Sequence, residues 1–89
     1  MKPLHATIRI EKQTARPALF YRGQNGLECY TFEEQHSSAC REYYNDETRP
    51  AHTPEEQAKC ADLERHYRTR LKLYDDVDLK VGTRLPWVA

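Results

Sequence analysis

The segment TPEEQAKCADLERHYRTRLKLY, residues 53–74, decides the fold. Thr53 is a suitable N-cap residue, Pro54 suits the first helical position, and Glu56 stands where a capping box has its carboxylate. Apolar residues then recur at three- and four-residue steps, which draws one stripe along a helix: Cys60, Leu63, Tyr67, Leu71 and Tyr74. The acids that follow oppose a helix C-terminus. The sequence therefore predicts a long amphipathic helix that ends near Asp75.

Alternating patterns ahead of this helix predict three strands. Residues 4–11 alternate with period two, which is typical of a half-buried strand with Leu4, Ala6, Ile8 and Ile10 on one face. Residues 18–22 and 27–32 flank Gly-Gln-Asn-Gly, which predicts a β-hairpin closed either on Asn25-Gly26 or on all four loop residues. Either register gives the same two faces: Leu19, Tyr21, Tyr30 and Phe32 on one, and Ala18, Phe20, Leu27 and Cys29 on the other. We expect helices to cover one face and the second to stay partly exposed, but the pattern leaves open which face is buried.

The rest of the chain completes an α+β pattern. Thr31-Phe32-Glu33-Glu34 fits a second capping box, which predicts a helix with an inner stripe of His36, Ala39, Cys40 and Tyr43. Residues 45–53 are predicted to form a loop, Val77–Val81 a fourth strand, and Leu85–Val88 an apolar tail. The prediction is one domain over residues 1–89, an antiparallel sheet of three or four strands packed on two antiparallel helices in the order β-β-β-α-α-β.

Composition narrows the class of protein. The chain has 89 residues and zero net charge, so it lacks the basic excess of a typical duplex-binding domain. That zero conceals a segregation, because residues 1–27 and 65–74 are basic and residues 28–64 are acidic. No apolar run is long enough for a signal peptide or a membrane span. Three cysteines without secretory context indicate reduced thiols, and we predict a cytoplasmic protein that does not contact membranes.

The sequence carries no catalytic signature. Ser37 and Ser38 lie in no nucleophile elbow, and the glycines form no phosphate cradle. The four-residue spacing of Asp62 and His66 is typical of an exposed helical ion pair. We predict no enzyme activity, no catalytic residues and no cofactor.

A metal site is not indicated either. His36 and Cys40 would share a helix face, and Cys60 could approach them, but no knuckle of paired ligands is present. We therefore predict thiols buried as small hydrophobic groups and no metal, although the sequence leaves open whether these three residues bind one.

The residue types favour protein binding. Six tyrosines and one tryptophan accompany several arginines, and these side chains are enriched at interface hot spots. We expect a non-enzymatic protein-binding module, an adaptor or an inhibitor that covers a partner surface, and its small size suits a phage or mobile-element protein. Predicted partner-binding residues are the anchors Tyr21, Tyr30 and Trp87 and a helical basic ridge of Arg65, Arg68 and Lys72.

Two other hypotheses use the same features. In the alternative function the chain binds single-stranded nucleic acid, with the sheet tyrosines stacking on bases and the basic ridge contacting phosphates. A homodimer formed through an edge strand or the apolar tail would also cover the small core.

Overall fold

The computed structural model describes residues 2–71 and 77–88. Its strands are β1 (Lys2–Glu11), β2 (Pro17–Gly23), β3 (Gly26–Thr31), β4 (Gln35–Ser38), β5 (Thr48–Arg49) and β6 (Val77–Gly82). The long helix α1 spans Pro54–Leu71, and a π-helical turn spans Tyr43–Glu47. Over these residues the predicted α+β class is confirmed, but the sheet has more strands than predicted and α1 is the one long helix.

The six strands form one curled sheet around β1. The order is β4-β3-β2-β1-β5, and β6 also pairs with β1. Along one edge β1 pairs with β2, and along the other it pairs with β6 through Lys2–Thr7 and with β5 at Ile10 and Glu11. The β1–β6 pair is parallel, whereas the other pairs between described strands are antiparallel.

The hairpin of β2 and β3 has the register predicted for the four-residue loop. Arg22 pairs with Leu27, and the ladder continues by one more pair, Gly23 with Gly26. Gly26 has a φ of +105°, a conformation that glycine adopts without the steric cost of a Cβ atom. Gly26 therefore suits the last pair of the hairpin, where a residue with a Cβ atom would be strained.

Helix α1 begins at its predicted cap and packs on one face of the sheet. The Glu56 N–H donates to Thr53 Oγ1 at 3.1 Å, and the Thr53 N–H donates to Glu56 Oε1 at 3.4 Å. Leu63 and Tyr67 of the predicted stripe are buried, in a cluster that also contains Ala6, Leu19, Tyr21, Tyr30 and Leu79. The last predicted helical residues, Lys72–Tyr74, lie outside the described residues.

The opposite face of the sheet is covered as well, which corrects the expectation of a partly exposed face. Ala18, Phe20 and Cys29 are buried there with three residues from later in the chain: Tyr44, Leu85 and Val88. The Tyr44 ring meets Phe20 edge-on, with 5.1 Å between ring centroids. Because both faces carry apolar side chains, both need a covering layer.

Arg9 ties the π-helical turn to the sheet. Its Nε donates to Thr48 Oγ1 at 2.8 Å, its Nη2 donates to the Thr48 carbonyl at 2.9 Å, and its guanidinium lies 4.8 Å from the Tyr44 ring centroid. Burial lowers the pKa of Arg9. The alternating pattern predicts that Arg9 faces solvent. In the structure Arg9 is buried under the π-helical turn.

The helix predicted after Thr31 is wrong, because β4 occupies its place. Thr31 Oγ1 accepts the Glu34 N–H at 3.0 Å, as a cap would. The chain then reverses through Gln35 in the left-handed region, with φ +61°, and returns beside β3. The same local hydrogen bond, from an N–H to the threonine hydroxyl three residues earlier, can form in a helix cap or in a turn, so it does not distinguish the two. The pairing of Tyr30 with His36 and of Cys29 with Ser37 decides for the strand.

Candidate functional site

Tyr21 and Tyr30 lie under α1 and have little surface to offer a partner. They are 8% and 0% exposed. The Tyr21 hydroxyl lies 2.6 Å from His36 Nδ1, and the Tyr30 hydroxyl lies 2.8 Å from His66 Nδ1. Burial raises the pKa of Tyr21. In this structure both side chains fill the core between sheet and helix, which leaves the role of partner anchor to other residues.

The predicted basic ridge is exposed, but acids of the same helix neutralise it. Arg65 pairs with Asp62, and Arg68 Nε lies 2.8 Å from Glu64 Oε2. Lys72, the third residue of the ridge, lies outside the described residues. Within the described part of α1, these two cations are therefore matched by two carboxylates one turn away.

Trp87 is half-buried on the face opposite α1. The Arg22 guanidinium lies 5.7 Å from its ring centroid. Here a hollow of about 380 Å³, which we call the basic hollow, combines an apolar floor with two exposed arginines; its lining includes Arg22, Leu27, Ala39, Arg41, Trp87 and Val88. Trp87 is thus the predicted aromatic anchor that keeps accessible surface beside positive charge.

A cavity of about 400 Å³ adjoins the basic hollow, because Ala39 lines both. We call it the acidic cavity. Its apolar lining includes Pro17, Ala18, Cys29 and Tyr43, and its carboxylates are Glu11, Glu33, Glu34 and Glu47. The π-helical turn contributes to it directly, since Tyr43 and Glu47 line the cavity while Tyr44 between them packs in the core.

Glu11 is held in place at the cavity by two hydroxyl groups. Thr14 Oγ1 donates to its Oε1 at 2.5 Å, and the Tyr43 hydroxyl donates to its Oε2 at 2.6 Å. These hydrogen bonds lower the pKa of Glu11. The carboxylate is therefore negatively charged at neutral pH.

Arg16 is the cation of the cavity lining, and it is loosely held. Its Nη2 lies 3.6 Å from Glu11 Oε1 and its Nη1 lies 3.5 Å from Glu33 Oε1, and the side chain is 50% exposed. Neither Glu34 nor Glu47 forms an ion pair with a described residue. The cavity therefore carries a negative excess that the described chain does not neutralise.

The three thiols are buried to different degrees: Cys29 is buried, Cys60 is intermediate, and Cys40 is exposed, which corrects the prediction that it is a core thiol. Cys29 Sγ lies 3.1 Å from Ser37 Oγ, and burial raises the pKa of this thiol, which makes it a poor nucleophile. Cys40 lines the acidic cavity, whereas His36 lies on the α1 side of the sheet. No three His, Cys, Asp or Glu side chains of the described residues are placed to hold a metal ion.

Sequence reasoning missed the acidic cavity. The capping-box pattern assigns Glu33 and Glu34 to the start of a helix, and in the structure they lie in a turn between β3 and β4. The acidic block of residues 28–64 was a usable signal, but the cavity also needs Glu11 of β1, Arg16, and Pro17 and Ala18 of β2, which lie outside that block. Only the tertiary arrangement brings these segments together.

Comparisons with known proteins give no further information on the site. No protein-family model matches the chain, and neither the curated proteins nor the solved structures include a match. Among the described residues there is also no helix with the length and apolar character needed to cross a membrane.

Proposed function

We propose that the chain is a non-enzymatic protein-binding module, an adaptor or an inhibitor, that covers a partner through the surface of the domain on the side opposite α1. The proposal rests on one observation, the meeting of the basic hollow and the acidic cavity at Ala39. A polypeptide can present side chains of both charges within a few residues, so one partner segment can complement both sites.

Nucleic acid is less well matched to this face. Arg22, Arg41 and Trp87 offer phosphate contacts and base stacking. The four carboxylates of the adjoining cavity repel the same polyanionic backbone, however. We therefore favour a protein partner and treat the binding of single-stranded nucleic acid as the competing outcome of the tests.

Trp87 is the expected anchor of the interface. Tryptophan and arginine are the side chains most enriched at hot spots. The contact with Arg22 restrains the ring before any partner arrives, which reduces the conformational entropy lost on binding.

The test is a selection of peptides from a phage-displayed random library on the immobilised protein, followed by Kd measurements with the synthetic peptides. We expect Trp87→Ala to weaken binding by at least about thirtyfold, because truncation of an aromatic hot spot costs about 2 kcal/mol or more. Arg41→Glu is a second variant, since Arg41 is exposed and its replacement leaves the core intact. The matched control is the double variant Arg65→Gln/Arg68→Gln on α1.

Three results would count against the proposal. The first is a library that yields no binder, and the second is a set of peptides whose affinity is unchanged by both Trp87→Ala and Arg41→Glu. The third is retention of single-stranded RNA at low salt with a steep log-linear loss of affinity as salt rises, which would favour the nucleic-acid alternative.

A further inference from the structure

We infer that the acidic cavity binds one lysine or arginine side chain of the partner, with Arg16 as an internal competitor for the same carboxylates. This inference rests on the proposed protein-binding function, and it names the chemistry of the partner at that point. A basic side chain has an aliphatic stem and a cationic end, and the cavity provides a surface for each.

The apolar floor suits the stem. Pro17, Ala18 and Tyr43 line the cavity, and the methylene groups of lysine and arginine pack favourably on apolar surface while the charged end stays in contact with water. A volume of about 400 Å³ admits such a side chain together with water molecules around its charge. The acidic cavity can therefore accept one side chain of a partner segment that lies across its opening.

The rim suits the cation. Four glutamates, Glu11, Glu33, Glu34 and Glu47, belong to the lining together with one cation, Arg16, which lies near Glu11 and Glu33. Hydrogen bonds keep Glu11 ionised, and Glu34 and Glu47 form no ion pair with a described residue. An incoming ammonium or guanidinium group is attracted by this excess, and an acidic side chain is repelled.

Arg16 already places a guanidinium beside two carboxylates of the cavity, as the partner's cation would be placed. Its guanidinium lies between Glu11 and Glu33 at 3.6 and 3.5 Å, beyond the usual length of a charge-assisted hydrogen bond of about 2.7–2.9 Å. A half-exposed pair of this kind contributes little free energy, so the cation is readily displaced. Removal of Arg16 should therefore improve the binding of a partner cation.

The experiment is a titration of the whole chain with N-acetyl-arginine methylamide, followed by ¹H–¹⁵N NMR. We expect shifts concentrated at Cys29, Ser37 and Cys40. Arg16→Gln should tighten binding by about two- to fivefold, and the double variant Glu34→Gln/Glu47→Gln should weaken it by about the same factor. Glu55→Gln, at the exposed start of α1, removes a carboxylate outside the cavity; it is the control and should leave the affinity unchanged.

Arg16→Gln and Glu34→Gln/Glu47→Gln should change the affinity in opposite directions. Unfolding would weaken binding in both variants, so opposite changes show an effect on the site and not on the fold. The inference is overturned if blocked arginine causes no shifts, if blocked glutamate binds as well, or if Arg16→Gln does not bind more tightly. The probe is a single residue, so its binding does not depend on Trp87. If blocked arginine binds but no selected peptide depends on Trp87, the proposed function is refuted. If Trp87-dependent peptides are found but blocked arginine does not bind, only this inference is refuted.

Discussion

Glu56 connects more of the structure than its place in the capping box indicates. Arg49 of β5 donates to both of its carboxylate oxygens, at 2.8 and 2.6 Å, and the backbone N–H groups of His52 and Thr53 donate to Oε1. The Thr53–Glu56 exchange is local and could be predicted from the sequence. The Arg49 contact depends on how the chain turns between β5 and α1, which no local pattern specifies.

This carboxylate should make stability depend on acid pH. Arg49, followed by the two backbone donors, lowers the pKa of Glu56 from 4.5 to about 2. Since the folded pKa is the lower one, the stabilisation is complete above the unfolded value and is lost as pH falls from about 4.5 toward 2. We expect Glu56→Gln to reduce the free energy of unfolding at pH 7 and to flatten its decline over that range.

Urea unfolding at pH 7, 4 and 2.5 measures this effect. Glu55→Gln is the neighbouring control, because Glu55 forms no ion pair with a described residue. An acid profile of Glu56→Gln with the slope of the unsubstituted protein would show that the Arg49–Glu56 pair does not stabilise the fold.

Two elements with the same start signal have opposite outcomes. Thr31-Phe32-Glu33-Glu34 and Thr53-Pro54-Glu55-Glu56 both form a hydrogen bond from the fourth N–H to the threonine hydroxyl. After Glu56 an apolar stripe continues to Leu63 and Tyr67, and a helix forms. After Glu34 the predicted stripe has no leucine and starts at the polar His36, and Gln35–Ser38 pairs with β3.

Elements with their own periodicity were therefore predictable: β1, the hairpin faces, α1 and β6. β4 and β5, with four and two residues, are too short to show alternation; they form through pairing, β4 with the neighbouring β3 and β5 with the distant β1. The acidic cavity was unpredictable for the same reason, because its walls come from several separate segments.

The turn between β1 and β2 contains strain that a substitution can release. Ala15 has a φ of +57°, in the left-handed region that costs a residue with a Cβ atom about 1–2 kcal/mol. Glycine removes this strain, but it also increases the conformational entropy of the unfolded chain, which lowers stability by about 0.4–1 kcal/mol. We expect Ala15→Gly to raise the free energy of unfolding by up to about 1 kcal/mol.

Chemical denaturation of Ala15→Gly and Ala58→Gly provides a matched comparison. Ala58 is an exposed position inside α1, where glycine should destabilise by about 1 kcal/mol. The two variants should therefore shift in opposite directions. Destabilisation by both would mean that the turn is not strained at Ala15.

The molecule as a whole is a sheet between two covering layers, of which only one is a regular helix. Leu63 of α1 is 0% exposed on one side, and Leu85 after β6 is 1% exposed on the other. The segment around Leu85 has no regular secondary structure, but its N–H donates to the Tyr44 hydroxyl at 3.3 Å, within the buried cluster. It should therefore act as core and not as a tail.

We expect Leu63→Ala and Leu85→Ala each to cost about 2–5 kcal/mol, the usual range for a buried leucine. Differential scanning calorimetry and urea unfolding measure the loss. Phe32→Ala is the control, because Phe32 is 43% exposed and its removal should cost much less. A Leu85→Ala variant as stable as Phe32→Ala would show that this layer does not stabilise the domain.

The parallel pair of β1 and β6 has a consequence for the order of events during synthesis. Lys2–Thr7 hydrogen-bonds with Val77–Gly82, so the central strand obtains this neighbour only after all the residues between β1 and β6 have been synthesised. A contact between strands this far apart in sequence carries a large loop-closure cost, which makes the pairing of β1 with β6 slow compared with that of the local hairpins. Until β6 leaves the ribosome, one edge of β1 is unpaired along residues 2–7, and Ala6 lacks its partner Val81. Completion of the sheet is therefore a late step in the folding of this domain, and the unpaired edge of β1 is most vulnerable to edge-to-edge aggregation just before it.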